Sequence, residues 1–418
     1  MPWTLEIYHI DVLSSGDATL IKADNGLIVR TALIDGGRAG NAHRVHSRVV
    51  AAGIAALNVM VTTHYDEDHM SGLTSLLNGG NARYAATRIY DQGEQGQVTI
   101  KSKKRKGVAA VLSDPEFFGR EPRYSNYLTA VEAHGTRARQ TNTVLSNQSV
   151  DANLTSAGWE DPDWLVGKEI LWDGVLGGVP ANAPTLRCVS GNQYILQANG
   201  GKNLVTSSTL NVEQGKNAKS LGFLLQFGNF KYYVGGDLEA VQEDGSAWNG
   251  AGYTVNASKR GNSLMHYLNQ TNNDAGRVHA MKASHHGSQY ASSPAFITRL
   301  RPRVVFISCG TDNQYGHPEQ TVVDTLQADG NVERYCLTGE AVNGATNLGN
   351  KARVAGVWPQ GQANPTADGD ILLTMTQAQA HSSPPQFEVV YDRPDAGTNV
   401  GKNPAFAYVP YGTYTMNF

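Results

Sequence analysis

Apolar and polar positions alternate in short runs at the start of the chain, and these runs predict strands. Leu5–Val12, Thr19–Lys22 and Leu27–Ile34 are separated by Ser-Ser-Gly-Asp and Ala-Asp-Asn-Gly turns. Asp24-Asn25-Gly26 tolerates left-handed backbone, which predicts a tight hairpin between the second and third runs. Residues 42–56 carry a helical pattern that ends near Gly53. Ala56–Thr63 is an unbroken apolar run rich in β-formers, the pattern of a strand buried on both faces. The polar cluster from His64 to His69 follows in the loop leaving that strand, and Met70–Leu77 predicts the next helix. A loop held between two rigid elements suits a reactive site.

From Asn81 to Asn217 the pattern weakens into stretches rich in Asn, Gly, Thr and Ser, with a helix expected over Tyr124–Ala138. This stretch reads as a large insertion. Strand character returns at Leu221–Phe227 and Lys231–Val234, joined by a short turn and ending at Gly235-Gly236-Asp237. Val278–Ala283 and Val304–Ser308 predict further strands, and Pro294–Leu300 and Glu319–Ala328 helices. Beyond Val342 a Gly/Asn/Pro-rich linker leads to strand candidates Ile371–Thr376 and Phe387–Tyr391. The expected divisions are 1–80 and 218–341 as halves of one α/β domain, 81–217 as the insertion and 342–418 as a small C-terminal β extension.

Composition narrows the classes. Hydrophobic residues at 40% and charged residues at 17% allow a sizeable core. A net charge of −3 argues against an overall basic nucleic-acid coat while leaving a local basic patch open. Cys188, Cys309 and Cys336 are scattered and odd in number, which fits neither a disulfide scaffold nor a zinc ribbon. The opening residues lack a basic and apolar leader pattern, and no apolar run approaches the ~20 residues of a membrane span. A cytoplasmic protein without membrane contact is the expectation, and no protein partner is identifiable.

The chemistry concentrates in a few short segments. His64, Asp66, Asp68 and His69 place four metal-ligand types within six positions at a strand exit. Such spacing can aim several donors at one ion or at two neighbouring ions. Asp237 at a strand end can bridge two ions with its two oxygens; by itself Gly-Gly-Asp would be an ordinary turn. His285-His286 and His317 also fall at loop exits rather than on helical faces. The run Lys101-Ser102-Lys103-Lys104-Arg105-Lys106 offers salt-sensitive phosphate contacts, with Lys103, Lys104 and Arg105 as candidate substrate-binding residues.

Taken in order, these segments resemble the metallo-β-lactamase superfamily, and within it the ComEC-type competence nuclease domain and its free-standing relatives. The likeness is carried by His9-Ile10-Asp11-Val12 with Ser15-Gly16-Asp17-Ala18, by Leu33-Ile34-Asp35-Gly36-Gly37 and by His64-Tyr65-Asp66-Glu67-Asp68-His69. It continues through Asn217 and Ser220 before Leu221, Gly236-Asp237, Lys282–Ser288 and Gly316-His317-Pro318. It spans residues 5–330 apart from the insertion. The resemblance implies an αββα sandwich with two divalent metal ions at one edge. His64 and Asp66 would hold one ion, and Asp68, His69 and one of His285 or His286 the other, with Asp237 bridging. Asp35, Asp17 and Ser220 would stand behind these ligands and orient them.

One departure matters: many members carry a further histidine shortly before the bridging Asp, and this chain has none between His134 and His266. The carboxylate-rich set favours Mn²⁺ or Mg²⁺ more than an all-imidazole site would, with Zn²⁺ also compatible. Asp68, Lys282 and His317 are the expected catalytic side chains, the last two stabilising charge on phosphoryl oxygens. The expected activity is a metal-dependent phosphodiesterase or nuclease on DNA or another nucleic acid. The alternative is a small-molecule phosphodiesterase or ester hydrolase, which a pocket roofed by Trp159, Trp164 and Trp172 would favour.

Overall fold

Alternating apolar side chains give the chain two sheets with both faces buried. The structure, a computed structural model, describes residues 1–13, 16–86, 88–92, 122–133, 144–145, 148–149, 163–206, 217–270, 277–310, 313–339, 341, 343–354, 369–394 and 408–416. Strands β1 (Thr4–His9), β2 (Thr19–Asp24) and β3 (Val29–Ile34) form an antiparallel meander. The β2–β3 turn is closed by Asn25 N donating to Ile28 O, where Asn25 was expected to turn the chain. Next come β4 (Val59–Val61) and β5 (Arg88–Asp91), both parallel to β3, and then β6 (Val144–Leu145) and β7 (Gln148–Ser149).

The second sheet begins with β8 (Thr185–Gly191), β9 (Tyr194–Leu196) and β10 (Lys202–Leu204), followed by β11 (Gly222–Phe227) and β12 (Phe230–Val234). After a ribbon of β13 (Ser246–Trp248) and β14 (Tyr253–Val255), four strands continue it parallel to β12. These are β15 (Ala280–Lys282), β16 (Val304–Ile307), β17 (Arg334–Leu337) and β18 (Ala352–Val354). The chain then returns to the first sheet with β19 (Asp370–Thr376), β20 (Phe387–Pro394) and β21 (Tyr408–Met416). The first sheet runs β21-β20-β19-β1-β2-β3-β4-β5-β6-β7 and the second β10-β9-β8-β11-β12-β15-β16-β17-β18.

The period of two along each strand assigns its faces. Leu5, Ile7, Ile21, Ala32, Ile34 and Val59 point into the core shared with Phe223, Leu225, Tyr232 and Val305 of the second sheet. Tyr8, Leu20, Leu33 and Met60 point the other way, into a separate core beneath three helices. Those helices are α1 (Ala42–Ala51), α2 (Glu67–Asn78) and α3 (Pro122–Ala133). Their buried faces follow helical spacing, as in Met70, Leu73 and Leu77 of α2 and Tyr124, Tyr127 and Val131 of α3. The second sheet is covered by α4 (Ala240–Asp244), α5 (Leu264–Gln270), α6 (Pro294–Leu300) and α7 (Gln320–Ala328). Phe296 of α6, for example, packs edge-on against Tyr233 of β12. The layer order is therefore helix, sheet, sheet, helix: the αββα sandwich that was expected.

Two expected divisions do not separate in space. The stretch 81–217 supplies β5, α3 and the β8–β10 edge, with β8 paired along β11 through Cys188 opposite Phe223. Polar turns around these short strands mask them in the sequence. The strands of the tail lie within the first sheet, with β19 paired to β1 from Thr4–Thr376 to His9–Ile371. Asp370 fixes that pairing from below: it receives Asp11 N at 2.8 Å and Arg48 Nε at 2.5 Å, all three residues buried.

Candidate metal centre

The parallel strands of both sheets end on one edge, and the loops leaving them carry the polar side chains. Open α/β sheets place ligands outside the carboxyl ends of their strands. Asp35 follows β3, His64 follows β4, Asp237 follows β12 and His285-His286 follow β15. Asp35, His285 and His286 are all left-handed, with φ of 60°, 52° and 53°. Non-glycine residues rarely hold that conformation, and it persists where the surroundings enforce it.

Backbone contacts knit three loops together. Gly36 N donates to His69 O at 2.9 Å, Gly72 N to Gly37 O at 2.7 Å and Asp17 N to Asp68 O at 3.1 Å. Gly72 allows this approach, because a Cβ there would overlap the carbonyl oxygen of Gly36. A Cβ on Gly16 would lie 2.8 Å from Asp68 O, so that loop also needs a glycine. The glycines of the two motifs thus set the distance between loops rather than merely ending strands.

Asp237 lies at the middle of the donors. Its Oδ1 is 3.3 Å from His69 Nε2 and 3.7 Å from His286 Nε2, and Asp68 is 3.7 Å from the same His286 nitrogen. Its Oδ2 is 3.6 Å from His64 Nε2 and 3.8 Å from His285 Nε2, and Asp66 is 3.7 Å from His64 Nε2. Each oxygen of one carboxylate therefore faces its own pair of imidazoles and its own aspartate. His285 and His286 both face Asp237, one ring toward each oxygen.

The Nδ1 atoms of His69 and His286 are anchored. Asp35 accepts from His69 Nδ1 at 2.8 Å and from Thr63 N and Thr63 Oγ1 at 2.8 and 2.7 Å. Asp17 is 3.4 Å from His286 Nδ1 and 3.9 Å from His69 Nδ1. Asp17, His69, Asp237 and His286 can bring one ligand atom each within 4.8 Å of one another. Asp17 nevertheless meets the Nδ1 edges, which leaves the Nε2 lone pairs directed at Asp237 and makes it a support for the rings. Ser220 Oγ accepts from Asp237 N at 3.2 Å and fixes the carboxylate's backbone.

The two other expected side chains part ways. Lys282 does not reach the cleft; it is buried with its ammonium on Asp17 and on Ala283 O, behind the rings. His317 does reach the cleft, its ring stacked 6.2 Å from His286 and its loop tied down by Asn313. Lys103, Lys104 and Arg105 lie outside the described residues.

The electrostatics suit a bound cation. Burial alone would raise the Asp237 carboxyl, yet the surrounding His69, His286, His285 and His64 hold it well below the carboxylate range. Burial would likewise depress His69, and Asp237 and Asp35 outweigh it, holding the imidazole well above its usual value. The chain thus supplies positive charge to this pocket with protons, which a divalent ion would displace on binding. Among the described residues His64 Nε2 and Asp237 Oδ1 are buried without a hydrogen-bond partner, which leaves both open to an ion. Nitrogen and carboxylate donors in this arrangement fit a divalent metal.

The cleft over these donors has a volume of about 570 Å³. Besides the expected residues it is lined by Arg38, Arg123, Asn217, Glu239, Tyr290 and Tyr315. Arg38 directly follows the Asp35–Gly37 turn and was legible from that position, whereas nothing in the sequence pointed to Arg123. Trp172 is buried in the sandwich against Trp3, Trp164 does not line the cleft and Trp159 lies outside the described residues.

No family model matches the chain. ComE operon protein 3 of Bacillus subtilis (strain 168) is 39% identical over 51 residues, 12% of this chain and 7% of that protein. The match therefore spans a small part of that relative. Among solved structures, the metallo-beta-lactamase fold protein YhfI from Bacillus subtilis is 8% identical, with 81% of this chain and 97% of that one covered at a TM-score of 0.36. Zn²⁺-bound PqqB from Methylobacterium extorquens is 10% identical, with 81% and 98% covered at a TM-score of 0.35. Overlaps this low assign no residue roles here. Among the described residues, no helix is long and apolar enough to cross a membrane.

Proposed function

We propose that the chain is a metal-dependent hydrolase that cleaves phosphodiesters in nucleic acid, with two divalent ions held on either side of Asp237. The observation that carries this reading is the division of donors between the two Asp237 oxygens. His64, Asp66 and His285 would hold one ion, and Asp68, His69 and His286 the other. Zn²⁺ and Mn²⁺ both suit this set, and Mg²⁺ is the harder option. When bound, such ions supply Lewis acidity toward water and toward a phosphoryl oxygen.

The chain's own groups do the rest. Asp35 and Asp17 hold His69 and His286 with their Nε2 lone pairs toward the ions. His317 is depressed to about 3 by burial and by His286 and His285, so it stays neutral near pH 7. A neutral imidazole at the cleft wall can hydrogen-bond a substrate oxygen without adding repulsion to the ions. Lys282, by contrast, acts through Asp17 as a positioning residue.

A pocket roofed by Trp159, Trp164 and Trp172 would favour the small-substrate alternative; Trp164 and Trp172 do not line the cleft, and Trp159 lies outside the described residues. The test is hydrolysis of single- and double-stranded DNA, RNA and bis(p-nitrophenyl) phosphate with Mn²⁺ or Zn²⁺. Asp237→Ala should abolish turnover with the fold retained by circular dichroism. Full activity in that variant, or no hydrolysis of any diester by the parent, overturns the reading.

A further inference from the structure

Glu67 lies between two of the proposed ligands, Asp66 and Asp68, yet it turns to a different task. Its Oε2 receives Arg38 Nη1 and Arg123 Nη1, each at 3.0 Å. The arginines come from elements far apart in sequence: Arg38 ends the Asp35–Gly37 turn and Arg123 opens α3. Both line the metal cleft. Two guanidiniums on one carboxylate leave a net positive charge, and each keeps further N–H donors beyond the one spent on Glu67.

Arg123 is held there from beneath. Tyr124 packs on Tyr65 of the ligand loop at 4.3 Å between rings, and Tyr65 and Tyr127 both donate to buried Asp91, at 2.8 and 3.0 Å. The first turn of α3 is thereby coupled to the loop that carries the metal donors.

Glu67 and Arg123 also line a second cleft of about 320 Å³ between α2 and α3. Its other walls are neutral, with Ser71, Thr74, Ser75, Asn78 and Asn126 among them. The Ser71 hydroxyl is buried without a hydrogen-bond partner among the described residues. A path thus leads from the metal donors across two arginines into a neutral polar groove.

We infer that Arg38 and Arg123 form an anion subsite that binds a phosphate next to the scissile one, with the α2–α3 groove receiving the rest of a nucleic-acid strand. This rests on the phosphodiesterase reading and names the part of its substrate beyond the metals. Planar guanidiniums suit bidentate phosphate contacts, and two of them from separate elements fix direction as well as charge. Glu67 preorganises the pair, and an arriving phosphate shares their donors.

The test measures binding apart from cutting. A fluorescein-labelled, nuclease-resistant phosphorothioate oligothymidylate is titrated onto the full chain with Mn²⁺ present, read by anisotropy over a range of salt. Arg38→Gln with Arg123→Gln should weaken binding at least about ten-fold at low salt and flatten the log Kd against log salt slope by about 1.4, ~0.7 for each lost single-strand contact. The Arg→Lys pair should keep the slope while losing part of the affinity, since charge remains and the fork is gone. Cleavage of an unmodified oligonucleotide should fall about ten-fold further in the Gln pair than cleavage of bis(p-nitrophenyl) phosphate, with the loss in KM. An unchanged Kd and slope in the Gln pair, or no oligonucleotide binding by the parent, overturns the subsite. Arginine-dependent binding by a parent that hydrolyses no diester would overturn the hydrolase reading and leave the subsite standing.

Discussion

Lys282→Met separates support from chemistry at this site. The Lys282 side chain is 1% exposed and its ammonium rests on Asp17, whose side chain is 3% exposed, with Ala283 O as its second acceptor. Methionine keeps an unbranched stem and removes only the charge, so packing changes little. Asp17 is then left buried with His286 Nδ1 at 3.4 Å and His69 Nδ1 at 3.9 Å as its remaining cationic neighbours. Breaking a buried pair by removing one partner costs about 3–5 kcal/mol. For 418 residues unfolding with about 2.1 cal/mol/K each, a loss of ~4 kcal/mol lowers Tm by roughly 4–5 °C. Asp17→Asn with Lys282→Met removes both charges and should recover most of that loss. The sign with pH follows from Asp17. Burial would raise its carboxyl, but Lys282 and His286 outweigh burial and hold it well below the usual range. Its contribution is therefore full above the unfolded value of about 3.9 and lost only as pH falls further. Lys282→Met should bring acid unfolding to a higher pH. Urea and thermal melts of the three proteins measure these differences. If Lys282→Met melts within about 1 °C of the parent while kcat collapses, Lys282 acts on substrate and the supporting role is refuted.

Chelation should lower the melting temperature and re-addition of Mn²⁺ or Zn²⁺ restore it, by about 2.7 kcal/mol at 100-fold over Kd; elemental analysis without metal and no thermal shift would contradict the donor geometry. Gly72→Ala must push α2 off the Asp35–Gly37 turn, and a displacement near 1 Å should cost about 100-fold in activity, read as kcat/KM beside a circular-dichroism melt. Glu243, raised to about 8 by burial, is protonated when folded and ionises on unfolding above its ordinary value. Its burial therefore costs stability increasingly as pH rises from ~4.5, up to about 3 kcal/mol at pH 7. Glu243→Gln should melt like the parent at pH 4 and higher than it at pH 8; equal melting at both would show the group ionised in place.

The sequence alone carried the individual strands and the clustering of donor residue types, because both are local signals, while the layer order came only through the resemblance of the ordered motifs to a family. A strand buried on both faces, such as Val59–Val61, is apolar whatever surrounds it, and a chelating loop must pack its donors into a few positions. Close loop approaches likewise demand glycine, as at Gly36 and Gly72, and a left-handed turn does so at Gly37. Tertiary structure decided what depends on direction and on long-range pairing. Lys282 reads the same on paper whether its strand face looks toward the cleft or behind it, and only the register of β15 against β12 turned it onto Asp17. His285 and His286 are adjacent in sequence, and two left-handed residues were needed to send one ring to each oxygen of Asp237. The strands of 81–217 were hidden because short polar-flanked strands carry little pattern of their own, whereas β19 and β20 of the tail were legible as strands and only their place in the first sheet was not. Their partners, β11 and β1, are distant in sequence, and pairing with them is what buries them. Arg123 reached the cleft by the same route: its helix is placed by the tyrosines that meet Asp91, a contact between segments that no local pattern connects.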